Sequence, residues 1–169
     1  MWNRLFAIGL TAWFTLADAG ELAPLQRATL SMNDALQAAK AAKAALADCQ
    51  AKGYEIGAAV VDDAGHSLVS LRSNGAGPHT LDSSWRKAYT ALSLRKPTHE
   101  LARMIAKDPE IQALHDMNES ILILGGGLPI RADGHVVGGI GVGGAPGAML
   151  DVACARAGLK AIGVELDDG

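Results

Sequence analysis

The sequence predicts a layered α+β domain in which helices cover a central antiparallel sheet. Two turn motifs, Asp62-Asp-Ala-Gly65 and Asp133-Gly134, lie between residues that favour strands, and such hairpin turns join antiparallel strands. Segments with a helical spacing of apolar residues come before the first hairpin, between the two hairpins and after the second. Helices on both sides of strand pairs along the chain are typical of this fold class.

The first predicted helix begins after Ser31, a good N-cap that is followed three residues later by Asp34. Apolar residues, mostly alanines, then recur at spacings of three and four as far as Cys49. Gly53 supplies a C-terminal stop. Strands over residues 54–61 and 66–72 follow and form the first hairpin.

Three helical segments are predicted between the hairpins. Thr80 is a candidate cap for the first, which ends before the next proline. Thr98 is a candidate cap for the second, which runs to about Lys107. A short third piece runs through Leu114 and leads to a predicted strand over residues 120–124.

The second hairpin is rich in glycine. Asp133-Gly134 suits a two-residue turn, which needs positive φ at its centre. Glycine weakens a strand, so the glycines within Val136–Val142 indicate the close approach of another backbone or of a flat ligand.

The last predicted helix runs from about Pro146 to Arg156, with Gly158 past its end. Its composition leaves little polar face, so we expect it to be well buried. Residues 161–166 are predicted to form a short strand or an apolar tail.

Length and charge limit the function. The chain of 169 residues is long enough for one domain with a real core. Its formal net charge is −3 and it contains no block of Lys and Arg, so the electrostatic pattern of a nucleic-acid-binding protein is absent.

Residues 1–19 are predicted to be a signal peptide. Arg4 precedes an apolar run from Leu5 to Leu16, which is too short to span a bilayer comfortably, and Ala17-Asp-Ala19 resembles a signal-peptidase site. A buried N-terminal helix is the alternative interpretation. We therefore expect a periplasmic or secreted protein, with residues 20–169 as one mature domain and no membrane attachment after cleavage.

Three segments in order resemble the GlcG/HbpS family of heme-binding proteins, which includes the C-terminal domain of PduO-type cobalamin adenosyltransferases. They are Val-Val-Asp-Asp-Ala-Gly at residues 60–65, Arg-Lys-Ala-Tyr-Thr-Ala at residues 86–91 and the glycine-rich residues 124–147. The resemblance extends over about residues 30–164. It implies a profilin-like fold, with the terminal helices on one face of the sheet and the middle helices on the other. It also implies heme as the ligand.

The two cysteines, Cys49 and Cys154, are an even number, and export permits a disulfide. In the fold that the resemblance implies, the first and last helices are neighbours, so we predict a disulfide between these cysteines. The chain contains no CxxC or CxxCH motif, so neither a redox dithiol nor a covalently attached c-type heme is predicted.

His79 is the first candidate ligand-binding residue. It lies between the glycine-rich residues 75–78 and the predicted cap Thr80, where a side chain can project over a pocket at the helix entrance. A loop histidine that only hydrogen-bonds to backbone fits the sequence equally well. A neutral imidazole is a common ligand of heme iron, and the same group can act as a general base.

Arg72 and Lys87 are candidate cations for the carboxylates of a ligand, such as heme propionates. Lys87 begins the Lys-Ala-Tyr-Thr-Ala stretch that matches the family pattern. The resemblance also associates a threonine near Thr98 with heme contact, and His99 beside it is the next candidate iron ligand after His79. No HxH or HxxxH spacing occurs, so no zinc site is predicted.

Three functions remain open at this point. The first is an exported protein that binds a small molecule, heme, for uptake, sensing or sequestration. The second is an enzyme for a small organic acid or carbonyl compound, with His79 as general base and Lys87 or Arg72 as the anion holder. The third is an assembly or accessory protein without catalysis. An enzyme needs His79 held by a second polar group in a small closed cavity, whereas an assembly protein leaves it exposed without partners.

We also predict a symmetric homo-oligomer, at least a dimer. Most soluble homo-oligomers are built on twofold axes. An exposed glycine-rich strand over Val136–Val142 and an alanine-rich helix would both favour close contact between chains.

Overall fold

Four antiparallel strands form the central sheet of the computed structural model, which describes residues 32–164. The strands are β1 (Gly57–Val61), β2 (Ser67–Arg72), β3 (Gly127–Ala132) and β4 (His135–Gly143), in the order β2-β1-β4-β3. The helices are α1 (Met32–Ala51), α2 (His79–Ser93), α3 (Thr98–Lys107) and α4 (Ala148–Ala161), with a 3₁₀ helix over Pro109–His115. The predicted α+β class with a central antiparallel sheet is confirmed.

Helices cover both faces of the sheet. On β4, Ile140 and Val142 point into the main core, which is shared with α1 and α4. Gly139 and Gly141 alternate with them and lie against the backbone of α2. Because successive strand residues point to opposite faces, the terminal helices cover one face and α2 covers the other. This is the layering that the family resemblance implies.

The second hairpin turns as predicted. Asp133 and Gly134 both have positive φ, 50° and 78°, and Ala132 pairs with His135 on either side of them. A two-residue turn of this kind matches the twist of the strands that it joins.

The predicted strand over residues 120–124 is wrong, because this segment is irregular. Side chains of α2 take its backbone hydrogen bonds: Thr90 Oγ1 accepts from the Leu122 amide at 2.8 Å, and Arg86 Nη2 donates to the Ile121 carbonyl at 2.9 Å. Apolar side chains of the segment pack against α3. The apolar pattern therefore reflects packing under a helix and not strand pairing.

The last helix is longer than predicted, since α4 continues through Gly158 to Ala161. Gly158 is buried against α1, and a Cβ on it would lie 2.7 Å from the Ala41 carbonyl oxygen. This glycine permits close packing of two helices and does not end one. As far as Val164 no strand follows α4, and residues 165–169 lie outside the described part of the chain.

The predicted disulfide is confirmed. Cys49 of α1 and Cys154 of α4 are bonded, with their Cα atoms 5.6 Å apart, and both residues are fully buried. The bond therefore joins the two terminal helices on one face of the sheet.

The expectation that the glycine-rich strand is exposed is wrong, because β4 lies between β1 and β3. A Cβ on Gly141 would overlap the Ser84 carbonyl oxygen and lie 2.6 Å from the Ala88 amide nitrogen. The glycines thus allow the backbone of α2 to approach the sheet. Of the two predicted explanations for the glycines, a nearby backbone or a flat ligand, the structure shows the first. The alanines of α1 likewise pack against α4 within the chain. The homo-oligomer stays a prediction, and neither the glycine-rich strand nor the alanine-rich helix now supports it.

The predicted signal peptide over residues 1–19 and the predicted cap Ser31 lie outside the described residues. Cleavage and export therefore stay predictions. Among the helices of residues 32–164, none combines the length and the apolar character that a membrane span requires.

Candidate functional site

The predicted site residues lie in two places. His79 and Arg72 are at the connection between β2 and α2. Lys87, Thr98 and His99 instead surround the segment Gly125–Gly127, just before β3. The structure therefore separates His79 from Lys87, which the enzyme hypothesis combined as general base and anion holder.

His79 is the first residue of α2 and lies beside an open depression of about 440 Å³, with Tyr54, Glu55 and Gly144 among the lining residues. Its side chain is exposed, and no hydrogen bond joins its ring to another described residue. Thr80, the predicted cap, is buried inside the helix and donates its hydroxyl to the Gly77 carbonyl at 2.7 Å. In the described part of the chain, neither a second polar group nor a closed cavity supports His79 as a general base.

Arg72 lies close to this depression and makes a hydrogen bond to the loop that follows it. Its Nη1 donates to the Ala76 carbonyl oxygen at 2.7 Å, and Ala76 lines the depression. The guanidinium therefore holds the loop that leads into α2. The Arg72 side chain is otherwise exposed.

Lys87, a candidate cation for ligand carboxylates, is buried and pairs with groups of the chain itself. Its side chain is 2% exposed, and Nζ donates to Asp151 Oδ2 at 2.8 Å and to the Val142 carbonyl at 2.9 Å. This position lies on the helix face that meets the sheet, where an ammonium needs such partners. Burial raises the pKa of Asp151, and the charge of Lys87 opposes that rise.

Thr98 is fully buried at the first position of α3, and it does not cap that helix. Pro97 is the cap residue, without a side-chain hydrogen bond. The Thr98 hydroxyl instead accepts from the Gly127 amide at 2.9 Å and donates to the Gly127 carbonyl at 3.4 Å. It therefore ties the start of α3 to the start of β3.

His99, the next candidate iron ligand after His79, is partly buried. The wall beside it is built from small residues: a Cβ on Gly125 would lie 3.2 Å from His99 Cβ and 3.0 Å from Ala148 Cβ. Within residues 32–164, His99 Nδ1 is one of two buried side-chain nitrogen or oxygen atoms without a hydrogen-bond partner, with Arg86 Nε the other. A buried ring nitrogen without a partner is uncommon in folded proteins.

The electrostatic setting of His99 favours the neutral ring. Burial is the main cause that lowers its pKa below 6.5, Glu100 opposes this effect, and Arg103 and Arg156 lower the pKa further. Neutral imidazole is the form that binds a metal. Leu124 and Met149, the chain neighbours of Gly125 and Ala148, are 48% and 51% exposed and offer apolar surface nearby.

Some residues of this second site could be placed near His99 from the sequence, and others could not. Arg103 follows His99 by four residues, so helical spacing alone places the two on one face. Arg156 and Ala148 are on α4 and come close only through the tertiary fold. In the described range, no three His, Cys, Asp or Glu side chains are grouped to hold a metal ion by themselves.

These features define a single-sheet α+β protein with an imidazole held against a glycine segment at the end of its sheet. The chain belongs to the HbpS-like family. The family model described as "Haem degrading protein HbpS-like" matches residues 34–160.

Solved structures share this fold. The crystal structure of a double mutant of HbpS from Streptomyces reticuli is 43% identical, with a TM-score of 0.72, over 89% of this chain and 97% of that one. The crystal structure of the PduOC:heme complex is 27% identical, with a TM-score of 0.71, over 80% of this chain and 96% of that one.

Similarity extends to an uncharacterized 15.0 kDa protein from the dhaT-dhaS intergenic region of Citrobacter freundii. The two are 38% identical over 109 residues, which are 62% of this chain and 77% of that protein. The family resemblance that the sequence indicated is therefore confirmed.

Proposed function

We propose that this protein binds heme and that the His99 imidazole is the axial ligand of the iron. The observation that carries the proposal is a partly buried histidine beside Gly125 and Ala148 whose buried Nδ1 has no hydrogen-bond partner, which leaves Nε2 as the nitrogen that can reach the iron. Membership in the HbpS-like family and the heme complex of the related PduOC support heme as the ligand.

The residues around His99 fit the general needs of a heme site. Heme supplies an iron centre whose reactivity and spectrum depend on its axial ligand. His99 offers the donor, and its lowered pKa keeps that donor neutral. Leu124 and Met149 offer apolar surface, while the exposed Arg103 offers a cation for a propionate.

His79, the ligand that the sequence ranked first, has a weaker case. It is exposed, and its depression is open and lined by both polar and apolar residues. Within residues 32–164, no side chain shields the His79 ring from solvent. His79 therefore serves as the matched control for His99.

A hemin titration of the purified, unreduced protein tests the proposal. We expect the wild type to shift the Soret band, His99→Ala to lose that shift, and His79→Ala to keep it. Circular dichroism of both variants checks that the fold is intact. A wild type that leaves the hemin spectrum unchanged contradicts heme binding, and loss of the shift in His79→Ala alone would reassign the ligand.

We infer further that heme is bound outside the cytoplasm, for uptake, sensing or sequestration. The predicted signal peptide and the disulfide support this inference. Intact-mass measurement of protein made in a secreting host should show the loss of residues 1–19, and a secreted product of full length would contradict it. The family description names heme degradation, so the same hemin complex is to be followed for Soret bleaching after addition of a reductant.

A homo-oligomer remains part of this proposal. Edge strands β2 and β3 leave two sheet borders unpaired within the described residues. Light scattering at micromolar concentration measures the mass directly, and a monomer mass would contradict an oligomer.

A further inference from the structure

We propose that Thr98 is a positioning residue for the heme site and does not touch the ligand. Its hydroxyl holds the segment Gly125–Gly127, against which His99 lies. This inference rests on the heme-binding function proposed above.

The first argument is that the Thr98 hydroxyl is already engaged. Thr98 has 0% exposure, and its Oγ1 both accepts from the Gly127 amide and donates to the Gly127 carbonyl. A hydroxyl has one proton to donate, and that of Thr98 is directed at the Gly127 carbonyl oxygen. Contact with an iron or a propionate would require release of Gly127 and leave buried backbone groups without partners.

The second argument is that the glycine segment leaves no space for movement. A Cβ on Gly127 would overlap the Lys87 carbonyl oxygen and lie 2.7 Å from Thr98 Cγ2. A Cβ on Gly126 would lie 2.9 Å from Asp151 Cβ, on α4. The segment is therefore confined by α2, α3 and α4 together.

The third argument is proximity to His99. Thr98 directly precedes His99 in α3. Its hydroxyl is hydrogen-bonded to Gly127, which is two residues from Gly125. A Cβ on Gly125 would lie 3.2 Å from His99 Cβ. The residues at both ends of this hydrogen bond are therefore near His99 in the chain or in space, and loss of the bond would loosen the position of His99 relative to Gly125.

Two substitutions separate positioning from contact. Thr98→Val removes the hydroxyl and keeps the branched shape, whereas Thr98→Ser keeps the hydroxyl. Thr98→Ala is made alongside in case the valine variant does not fold. Each is compared with the wild type by NMR amide exchange of residues 125–127 in the heme-free protein and by hemin titration.

We expect Thr98→Val to speed amide exchange at Gly127 and to weaken hemin binding, each by about tenfold, as loss of one such hydrogen bond implies. The Soret band of the complex that still forms should keep the wild-type position, because His99 remains the ligand. Thr98→Ser should restore both the slow exchange and the affinity.

Two results would overturn the proposal. One is a Thr98→Val complex with a shifted Soret band but unchanged amide exchange, which would indicate direct contact with the ligand. The other is faster amide exchange with unchanged hemin affinity, which would indicate that the Thr98–Gly127 hydrogen bonds do not position the heme site. A wild type that binds no hemin would refute the proposed function itself, while the exchange measurement would still test these hydrogen bonds separately.

Discussion

Lys87 of α2 and Asp151 of α4 form an ion pair of 2.8 Å that is almost completely removed from solvent, with side-chain exposures of 2% and 4%. The same carboxylate accepts from the Ala145 amide through Oδ1 at 3.0 Å. The pair thus joins the helix on one face of the sheet to the connection between β4 and α4.

Removal of either charge should destabilise the fold strongly, because the remaining charge would be buried alone. For Lys87→Met or Asp151→Asn we expect the free energy of unfolding to fall by about 3–5 kcal/mol. Urea denaturation measures this change, and Lys43→Met, at an exposed position of α1, is the control that should stay within about 0.5 kcal/mol. The double variant Lys87→Met/Asp151→Leu should recover part of the loss, and equal losses in the single variants and the control would contradict the argument.

The disulfide should contribute a large part of the stability, because it closes a long loop. Cys49 and Cys154 are 105 residues apart. The chain-entropy model then gives about 4–5 kcal/mol for the crosslink. We expect Cys49→Ala/Cys154→Ala to lower the denaturation midpoint, and a reductant to lower that of the wild type but not of the variant. Two titratable thiols in the native, unreduced protein would show that the bond is absent in solution.

Glycine at position 141 should be required for the packing of α2 on the sheet. A methyl group there would overlap the Ser84 carbonyl oxygen. We expect Gly141→Ala to destabilise the protein by about 1–3 kcal/mol or more, since a packed backbone cannot easily yield. Gly147→Ala is the matched control, because its Cβ would lie 3.7 Å from Leu150 Cδ1, an ordinary contact, and should cost about 1 kcal/mol or less. Equal stability of the two variants would contradict this account of the glycine strand.

Hemin affinity should stay unchanged in mildly acidic buffer if His99 is the ligand. Its pKa in the folded protein is lowered from 6.5, so the ring stays neutral below the pH at which a free histidine gains a proton. We therefore expect the hemin Kd to stay constant from about pH 8 to pH 6.5 and to rise only in more acidic buffer. By linkage, the unfolded chain binds this proton more tightly, so the folded state loses stability as the pH falls through the same acidic window. A rise in Kd that is centred at or above 6.5, or the same pH profile in His99→Ala, would exclude this role.

The elements that the sequence predicted well carry local determinants. The Asp133-Gly134 turn is set by positive φ at two adjacent residues, and α1 is set by its repeated alanines. The segment over residues 120–124 was mistaken for a strand because a short apolar run has no local feature that separates strand pairing from burial under a helix. The partners that decide it, Arg86 and Thr90, are more than 30 residues away.

The candidate site shows the same division. Local sequence identified His79 as a residue of interest, and the family resemblance drew attention to Lys87 and Thr98, with His99 beside Thr98. Their surroundings could not be deduced, because burial and hydrogen bonding depend on which helix packs on which face of the sheet. Lys87 was expected near a ligand and instead pairs with Asp151, which is 64 residues away.

By itself, the sequence determined the α+β class and the two hairpins. Through the family that it indicated, it also determined the pairing of Cys49 with Cys154. Only the tertiary structure decided that the glycines of β4 admit α2 and that His99 is the partly buried imidazole with an unpartnered nitrogen. The physical reason is the distance along the chain over which each kind of interaction acts. Turn conformation and helical periodicity arise within a few residues, whereas desolvation and backbone contact arise between elements that only the complete fold brings together.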